Sequence, residues 1–362
     1  MMTAKKNAVY IIAEAGVNHN GERDLAFALI DAAADAGVDA VKFQTFDAAV
    51  LASHSAPKAA YQKENTAQDE SQLSMLKKLE LPREWHEELQ AYTYSKGIEF
   101  LSTAFDSGSL EFLCTLDMPF FKVPSGELTN APLLWQFART GKKLVLSTGM
   151  ATLSEVEQAL AIVAHALQSE TEPSDMNAVW QAWGYEQNRE RLAGHVTLLH
   201  CTSQYPTPWV EVNLRAMDTL ADAFGLEVGY SDHTEGCLIP VAAVARGAKI
   251  IEKHFTLDRT LPGPDHKASL EPQELKRMVS EIRALELALG SGYKSPQPSE
   301  WDTRRAARQQ VVAARAISSG NVIKRDDLNT ARSRDGLPAT RLWELVGKSA
   351  KRAYEAGEII HE

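Results

Sequence analysis

The stretch Phe121-Lys122-Val123-Pro124-Ser125-Gly126-Glu127 places a cation, a hydroxyl and a carboxylate within six residues. Its apolar start reads as the end of a buried strand, and the Pro and Gly turn the chain directly after it. A Lys beside small-residue backbone amides suits a phosphate, and a nearby carboxylate suits a hydroxyl or a proton. An ordinary surface turn carrying a salt bridge would read the same way in isolation.

Other positions share this character. Glu14, Lys42, Gln44, Thr103, Ser147, His200, Ser231, Asp232, His233, Lys253 and His254 each follow or end a short apolar run. Singly, a Ser or Thr there caps a helix and a His satisfies a neighbour. Together they suggest chemistry. Lys42, Thr103, Lys122, Ser125 and Ser147 form a set suited to the phosphate and carboxylate of one small anion. His200 and His233 are expected on neighbouring strands, as two ligands of an open divalent-metal site or as hydrogen-bonding partners of their surroundings. Glu14, Gln44 and Glu127 are left for the hydroxyls and protons of a second substrate.

The elements that would position them alternate. Strands are expected at 8–13, 39–44, 98–101, 120–123, 143–146, 196–199, 226–229 and 248–252, with amphipathic helical patterns between them. The last helix runs from Pro272 to Leu289 with Leu275, Met278, Ile282 and Leu285 in register. Eight such pairs over ~250 residues predict a (β/α)8 TIM barrel, whose active site lies at the C-terminal strand ends. A doubly wound open sheet is the alternative, but no GxGxxG follows the first strand. Two connections exceed what a barrel needs. Residues 47–74 could fold over the mouth; 168–193, with Trp180, Trp183 and Tyr185, is either an elaboration near the site or a surface excursion.

The predicted division is a catalytic barrel over 1–290, a Pro/Ser/Gly-rich linker over 291–303 and a small β-rich domain over 304–362. In that last part, Arg315 to Ile323 and Arg352 to Ile360 both read Arg-Ala-x-x-x-Gly-x-Val/Ile-Ile, an internal repeat. With 44% hydrophobic and 24% charged residues the chain has globular composition, and a net charge of −10 without basic runs argues against nucleic acid. The three cysteines, odd in number and scattered, indicate neither a disulfide framework nor a CxxC zinc site. No apolar run reaches membrane-spanning length and no signal-peptide core opens the chain, so a cytoplasmic protein is expected.

The motifs Ile12-Ala13-Glu14-Ala15-Gly16-Val17-Asn18-His19, Val41-Lys42-Phe43-Gln44-Thr45, Lys122-Val123-Pro124-Ser125-Gly126-Glu127, Leu199-His200-Cys201-Thr202, Tyr230-Ser231-Asp232-His233-Thr234 and Glu252-Lys253-His254-Phe255-Thr256 occur in this order. Together they resemble the sialic acid synthase family, and the C-terminal module resembles that family's antifreeze-like (SAF) domain. The resemblance implies condensation of phosphoenolpyruvate with open-chain N-acetylmannosamine and water, releasing phosphate and N-acetylneuraminate. The alternative is a legionaminate synthase using 2,4-diacetamido-2,4,6-trideoxymannose. It also implies phosphoenolpyruvate on Lys42, Thr103, Lys122, Ser125 and Ser147, and Mn2+ or Mg2+ on His200 and His233. Glu14 and Glu127 would be catalytic, with Gln44 and Glu127 facing the sugar. A domain-swapped homodimer would lend an Arg from the small domain to the partner's sugar site. The family carries that Arg in Lys-Arg-Pro-Gly-x-Gly, where this chain reads Ala331-Arg332-Ser333-Arg334-Asp335-Gly336. Arg332 aligns, Arg334 is the alternative, and sugar specificity stays open. Readings from other classes are a lyase-type aldolase with Lys122 as Schiff base, and a non-catalytic sugar- or ice-binding protein.

Overall fold

The computed structural model describes residues 8–53, 56–66, 71–333 and 335–361. The chain divides into two compact units after Gly290.

In the first unit eight parallel strands form one sheet: β1 (Tyr10–Gly16), β2 (Ala40–Thr45), β3 (Glu99–Ala104), β4 (Phe120–Val123), β5 (Lys143–Ser147), β6 (Val196–His200), β7 (Glu227–Asp232) and β8 (Ile250–His254). Hydrogen bonding runs in the order β3-β2-β1-β8-β7-β6-β5-β4. The two ends of this series, β3 and β4, lie side by side and close the circle without a ladder. At that seam Ser102 N–H donates to Met118 Sδ at 3.3 Å. The (β/α)8 barrel expected from the alternation is the observed fold.

The helices are α1 (Arg23–Ala36), α2 (Ala48–Leu51), α3 (Ala60–Asn65), α4 (Gln72–Leu79), α5 (His86–Ser95), α6 (Ser107–Leu113), α7 (Ala131–Arg139), α8 (Leu153–Ala166), α9 (Met176–Trp183), α10 (Glu186–Glu190), α11 (Ala216–Phe224), α12 (Leu238–Ala245) and α13 (Pro272–Leu289). Local sequence explains their ends. Thr152 Oγ1 accepts from Glu155 N–H and Glu155 returns a carboxylate to Thr152 N–H at 2.7 Å, a capping box that starts α8. Gly37 ends α1 in the left-handed region at φ 80°. On α13, Leu275, Met278 and Ile282 are buried, as the apolar spacing predicts.

The two long connections contain helices of their own. Residues between β2 and β3 form α2, α3 and α4, and several of them line the cavity at the strand ends. By contrast, α9 and α10 pack on α8, where Trp183 Nε1 donates to Glu157 Oε1 at 3.0 Å. The second connection is a surface excursion, and none of it lines that cavity.

In the second unit a short helix, α14 (Trp301–Ala307), spans the predicted end of the linker. Strands β9 (Gln309–Ala313) and β10 (Leu328–Arg332) pair antiparallel. The internal repeat becomes reciprocal pairing: Ile317 N–H donates to Tyr354 O at 2.8 Å and Tyr354 N–H to Ile317 O at 2.9 Å. Gly320 N–H to Ala350 O is mirrored by Gly357 N–H to Ala313 O. Ile317, Ile323, Tyr354 and Ile360 belong to this unit's own buried core.

Behind the strand ends of the barrel, Asp232 and Lys253 are both fully buried and pair at 2.6 Å. Asp232 also accepts from Thr234 N–H and Oγ1, and Lys253 donates to Thr234 O. Removing one charge strands the other in the interior. Lys253→Met is expected to lower stability by about 3–5 kcal/mol in urea denaturation; a loss below about 1 kcal/mol would show the pair to be dispensable.

Candidate active site

Strand alternation decides which side chains reach the barrel mouth. Glu14 on β1 is in register with Lys42 on β2 and with His254 on β8, and Ser231 on β7 with Glu252 on β8. These residues, with Gln44, Thr103, Lys122, Ser125, Glu127, Ser147 and His233, line one cavity of about 440 Å³.

Its floor is a buried charge cluster. Lys42 Nζ lies 2.5 Å from Glu14 Oε2 and 3.5 Å from Glu252 Oε2, and donates to Thr103 Oγ1 at 3.0 Å. Lys122 Nζ lies 3.3 Å from Glu252 Oε1, which accepts from Ser231 Oγ at 2.8 Å. Gln44 Nε2 donates to Glu14 Oε1 at 3.0 Å. Burial would raise the pKa of Glu252, but Lys122, Lys42 and the Ser231 hydroxyl outweigh it and hold the carboxylate ionised. Burial dominates at Glu14 and, with the charge of Glu252, raises its pKa against the pull of Lys42. Lys42 is held above the usual lysine value, since the two carboxylates outweigh its desolvation. Two carboxyl groups with pKa values driven apart is the arrangement that separates a fixed counter-charge from a proton carrier. By these directions Glu252 suits the first role and Glu14 the second.

An anion cradle adjoins Lys122. The Ser147 hydroxyl is buried without a hydrogen-bond partner among the described residues. Ser125 Oγ accepts from Gly149 N–H at 3.1 Å and shares a hydrogen bond with Cys201 Sγ at 3.2 Å, in which either group can donate. Glu127 stands in the one-turn helix Ser125–Glu127 at the cavity edge, its Oε2 accepting from Asn130 Nδ2 at 2.6 Å.

The imidazoles differ from the expected pair. His200 ends β6 in register with Tyr230 and faces away from the cavity: its Nε2 is 2.8 Å from Val212 O, and it lines a separate cleft with Asn213 and Arg215. The next residue, Cys201, is the one that reaches Ser125. His233 instead meets His254, with ring centroids 5.4 Å apart. His233 Nδ1 is fixed against Thr202 O at 2.7 Å, and His254 Nδ1 is buried without a hydrogen-bond partner among the described residues. Burial keeps both rings neutral, His233 at about 4 and His254 well below the usual value. Among the described residues His200 therefore does not share the cavity with His233, whereas His254 does, and neutral imidazoles with an unused nitrogen are of a kind that suits a divalent cation. Asp265 lies nearby, its Oδ2 3.9 Å from His254 Nδ1 and its pKa pushed up to about 7 by burial and then by Glu14.

Sequence reasoning passed over Glu252, Tyr205 and Asp265, and gave His254 no role. Glu252 and His254 carried a usable signal: they alternate with Lys253, so they share the face opposite to it. Tyr205 and Asp265 lie in loops without such periodicity; Tyr205 packs its ring 4.1 Å from that of His233. Arg332 is exposed at the end of β10 in the second unit, and Arg334 lies outside the described residues.

The fold and this constellation define a barrel enzyme whose cavity sets paired cations beside two neutral imidazoles. The NeuB family model matches residues 29–294 and the SAF domain model residues 308–362, and the chain belongs to the NeuB family, the nonulosonic acid synthases. It is 48% identical to the N,N'-diacetyllegionaminic acid synthase of Campylobacter jejuni subsp. jejuni serotype O:2, over 97% of this chain and 98% of that one. Identity to the N,N'-diacetyllegionaminic acid synthase of Legionella pneumophila subsp. pneumophila is 44%, over 97% and 93%. A solved structure of the N-acetylneuraminic acid (sialic acid) synthetase from Leptospira borgpetersenii serovar Hardjo-bovis, in complex with citrate, aligns at TM-score 0.66 and 35% identity, over 82% of this chain and 90% of that one. Among the described residues no helix is long and apolar enough to cross a membrane.

Gly149 tests the cradle. A Cβ there would lie 2.7 Å from Ser125 Oγ and 2.9 Å from Cys201 Sγ, and would also collide with Ser203 Oγ. Gly149→Ala is expected to weaken inorganic phosphate binding about tenfold or more by calorimetric titration, with the melting temperature little changed. Unchanged phosphate affinity would remove Ser125 and Gly149 from the anion site.

Proposed function

We propose that this enzyme condenses phosphoenolpyruvate with open-chain 2,4-diacetamido-2,4,6-trideoxymannose and water, giving N,N'-diacetyllegionaminate and phosphate. The observation that carries this reading is the 48% identity, over nearly the whole chain, to a relative named for that product. The solved N-acetylneuraminic acid synthetase from Leptospira borgpetersenii stands at 35%. N-acetylmannosamine, the sugar first expected from the motifs, therefore becomes the second reading.

In the proposed reaction Lys122, Ser125 and Ser147 hold the phosphate and carboxylate of phosphoenolpyruvate, with Lys42 and Thr103 beside them. C3 of the enol attacks the aldehyde carbon, forming the new carbon–carbon bond and leaving C2 electron-poor. Glu14, with its raised pKa, gives its proton to the aldehyde oxygen as that oxygen becomes a hydroxyl. The resulting carboxylate takes a proton from the water that adds to C2. Phosphate then departs with the electrons of its C2–O bond and takes up the proton of the new C2 hydroxyl, so that C2 becomes the ketone. Glu252 stays ionised throughout and keeps Lys42 and Lys122 in place. A divalent cation such as Mn2+ or Mg2+, held by His233 and His254, would supply Lewis-acid polarisation of the aldehyde oxygen. Gln44 and Glu127 are positioned for sugar hydroxyls at the cavity edge. Arg332, an exposed cation without an ion pair among the described residues, is proposed to complete the sugar site of a second copy in a homodimer.

The test is phosphate release from phosphoenolpyruvate with Mn2+, comparing 2,4-diacetamido-2,4,6-trideoxymannose with N-acetylmannosamine. The first sugar is expected to give the higher kcat/KM, by about tenfold or more. Preference for N-acetylmannosamine would return the protein to N-acetylneuraminate synthesis, and release with neither sugar would overturn the synthase reading.

A further inference from the structure

The cavity has two unlike sides. Its floor is the charge cluster, whereas much of its wall comes from the segment between β2 and β3. One face of α4 lines it: Gln72, Met75, Leu76 and Leu79, the i, i+3, i+4 and i+7 positions of the helix. Met75 and Leu79 belong to an apolar cluster separate from the barrel core, built with Val17 and Phe46, and Leu76 packs against it. Two contacts hold this wall in place. Ala48 N–H donates to Glu80 Oε1 at 2.7 Å, and Asn65 Nδ2 donates to Pro264 O at 2.8 Å, tying the segment to the loop after β8.

We propose that this face of α4 receives the C4–C6 end of the sugar and selects a substrate carrying a C4 acetamido group and a C6 methyl. The inference rests on the synthase reading above and deepens it. The aldehyde carbon must lie against C3 of phosphoenolpyruvate on the floor. An extended six-carbon chain then carries C6 roughly 6 Å further out, by ordinary bond lengths. Met75, Leu76 and Leu79 supply an apolar part of the cavity lining. A C6 hydroxyl set against Leu76 and Leu79 would lose its water without gaining a partner, whereas a methyl loses nothing. An acetamido group presents a donor and an acceptor beside a methyl, and Gln72 next to Met75 and Leu76 offers an amide beside apolar surface. In the proposed reaction the phosphate end is held by Lys122, Ser125 and Ser147, which belong to other elements, so the contribution of α4 falls on the choice of sugar.

The experiment is steady-state phosphate release by the full-length, Mn2+-loaded enzyme with each sugar, for Leu76→Asn and Leu76→Met. Leu76→Asn is expected to lower kcat/KM for the diacetamido trideoxy sugar by about 10- to 100-fold. The value for N-acetylmannosamine should hold or rise, since asparagine offers its C6 hydroxyl the partner that leucine lacks, and Leu76→Met should retain the preference. An equal fall for both sugars, or no change for either, would overturn the role of α4 while leaving the synthase reading intact. Turnover of neither sugar by the unaltered protein would overturn both.

Discussion

Lys42 sits between two carboxylates at the bottom of the cavity, and the site depends on that arrangement. None of Lys42, Glu14 or Glu252 would keep its charge alone at such burial, since each would neutralise or draw in water. Grouped with Lys122, they stabilise one another, and the group exists only because β1, β2, β4 and β8 each deliver a side chain to the same level. Slipping any of these strands by one residue would turn its charge into the helix layer. The register of the barrel is thus a constraint set by electrostatics as well as by packing.

The cluster also divides labour between residues of the same type. Glu252 is surrounded by cations and a hydroxyl, so it remains a fixed negative charge. Glu14 has one cation, a neighbouring negative charge and complete burial, so it can carry a proton. The distinction lies in surroundings rather than in chemistry. A second division separates floor from wall: strand ends supply the reacting groups, while α2 to α4 supply apolar surface that can vary without disturbing them.

The alternation of apolar runs and amphipathic helices made the barrel legible from sequence, as did capping signals such as Thr152 with Glu155. The C-terminal repeat was legible too, because the same residues recur where the chain pairs with itself. Much of the cavity's polar floor could be named from residues at strand ends, whereas its apolar wall could not. Which way those residues face was harder to read. His200 stands at a strand end, but the alternation of β6 turns it outward and leaves Cys201 facing Ser125. On β8, Lys253 pairs with Asp232 behind the site, while Glu252 and His254 face the cavity. Assigning an inward or outward sense requires the register between neighbouring strands, which no single strand contains. Tyr205 and Asp265 come from irregular loops, where nothing periodic announces them.

Calorimetric titration of Mn2+ into the metal-free protein tests most directly the claim that strand register selects the reacting residues. His233→Ala and His254→Ala should each weaken Mn2+ binding by about tenfold or more, while His200→Ala, with its ring against Val212, should bind as the unaltered protein does. Weakened binding in His200→Ala together with unchanged binding in His254→Ala would contradict the account at its base.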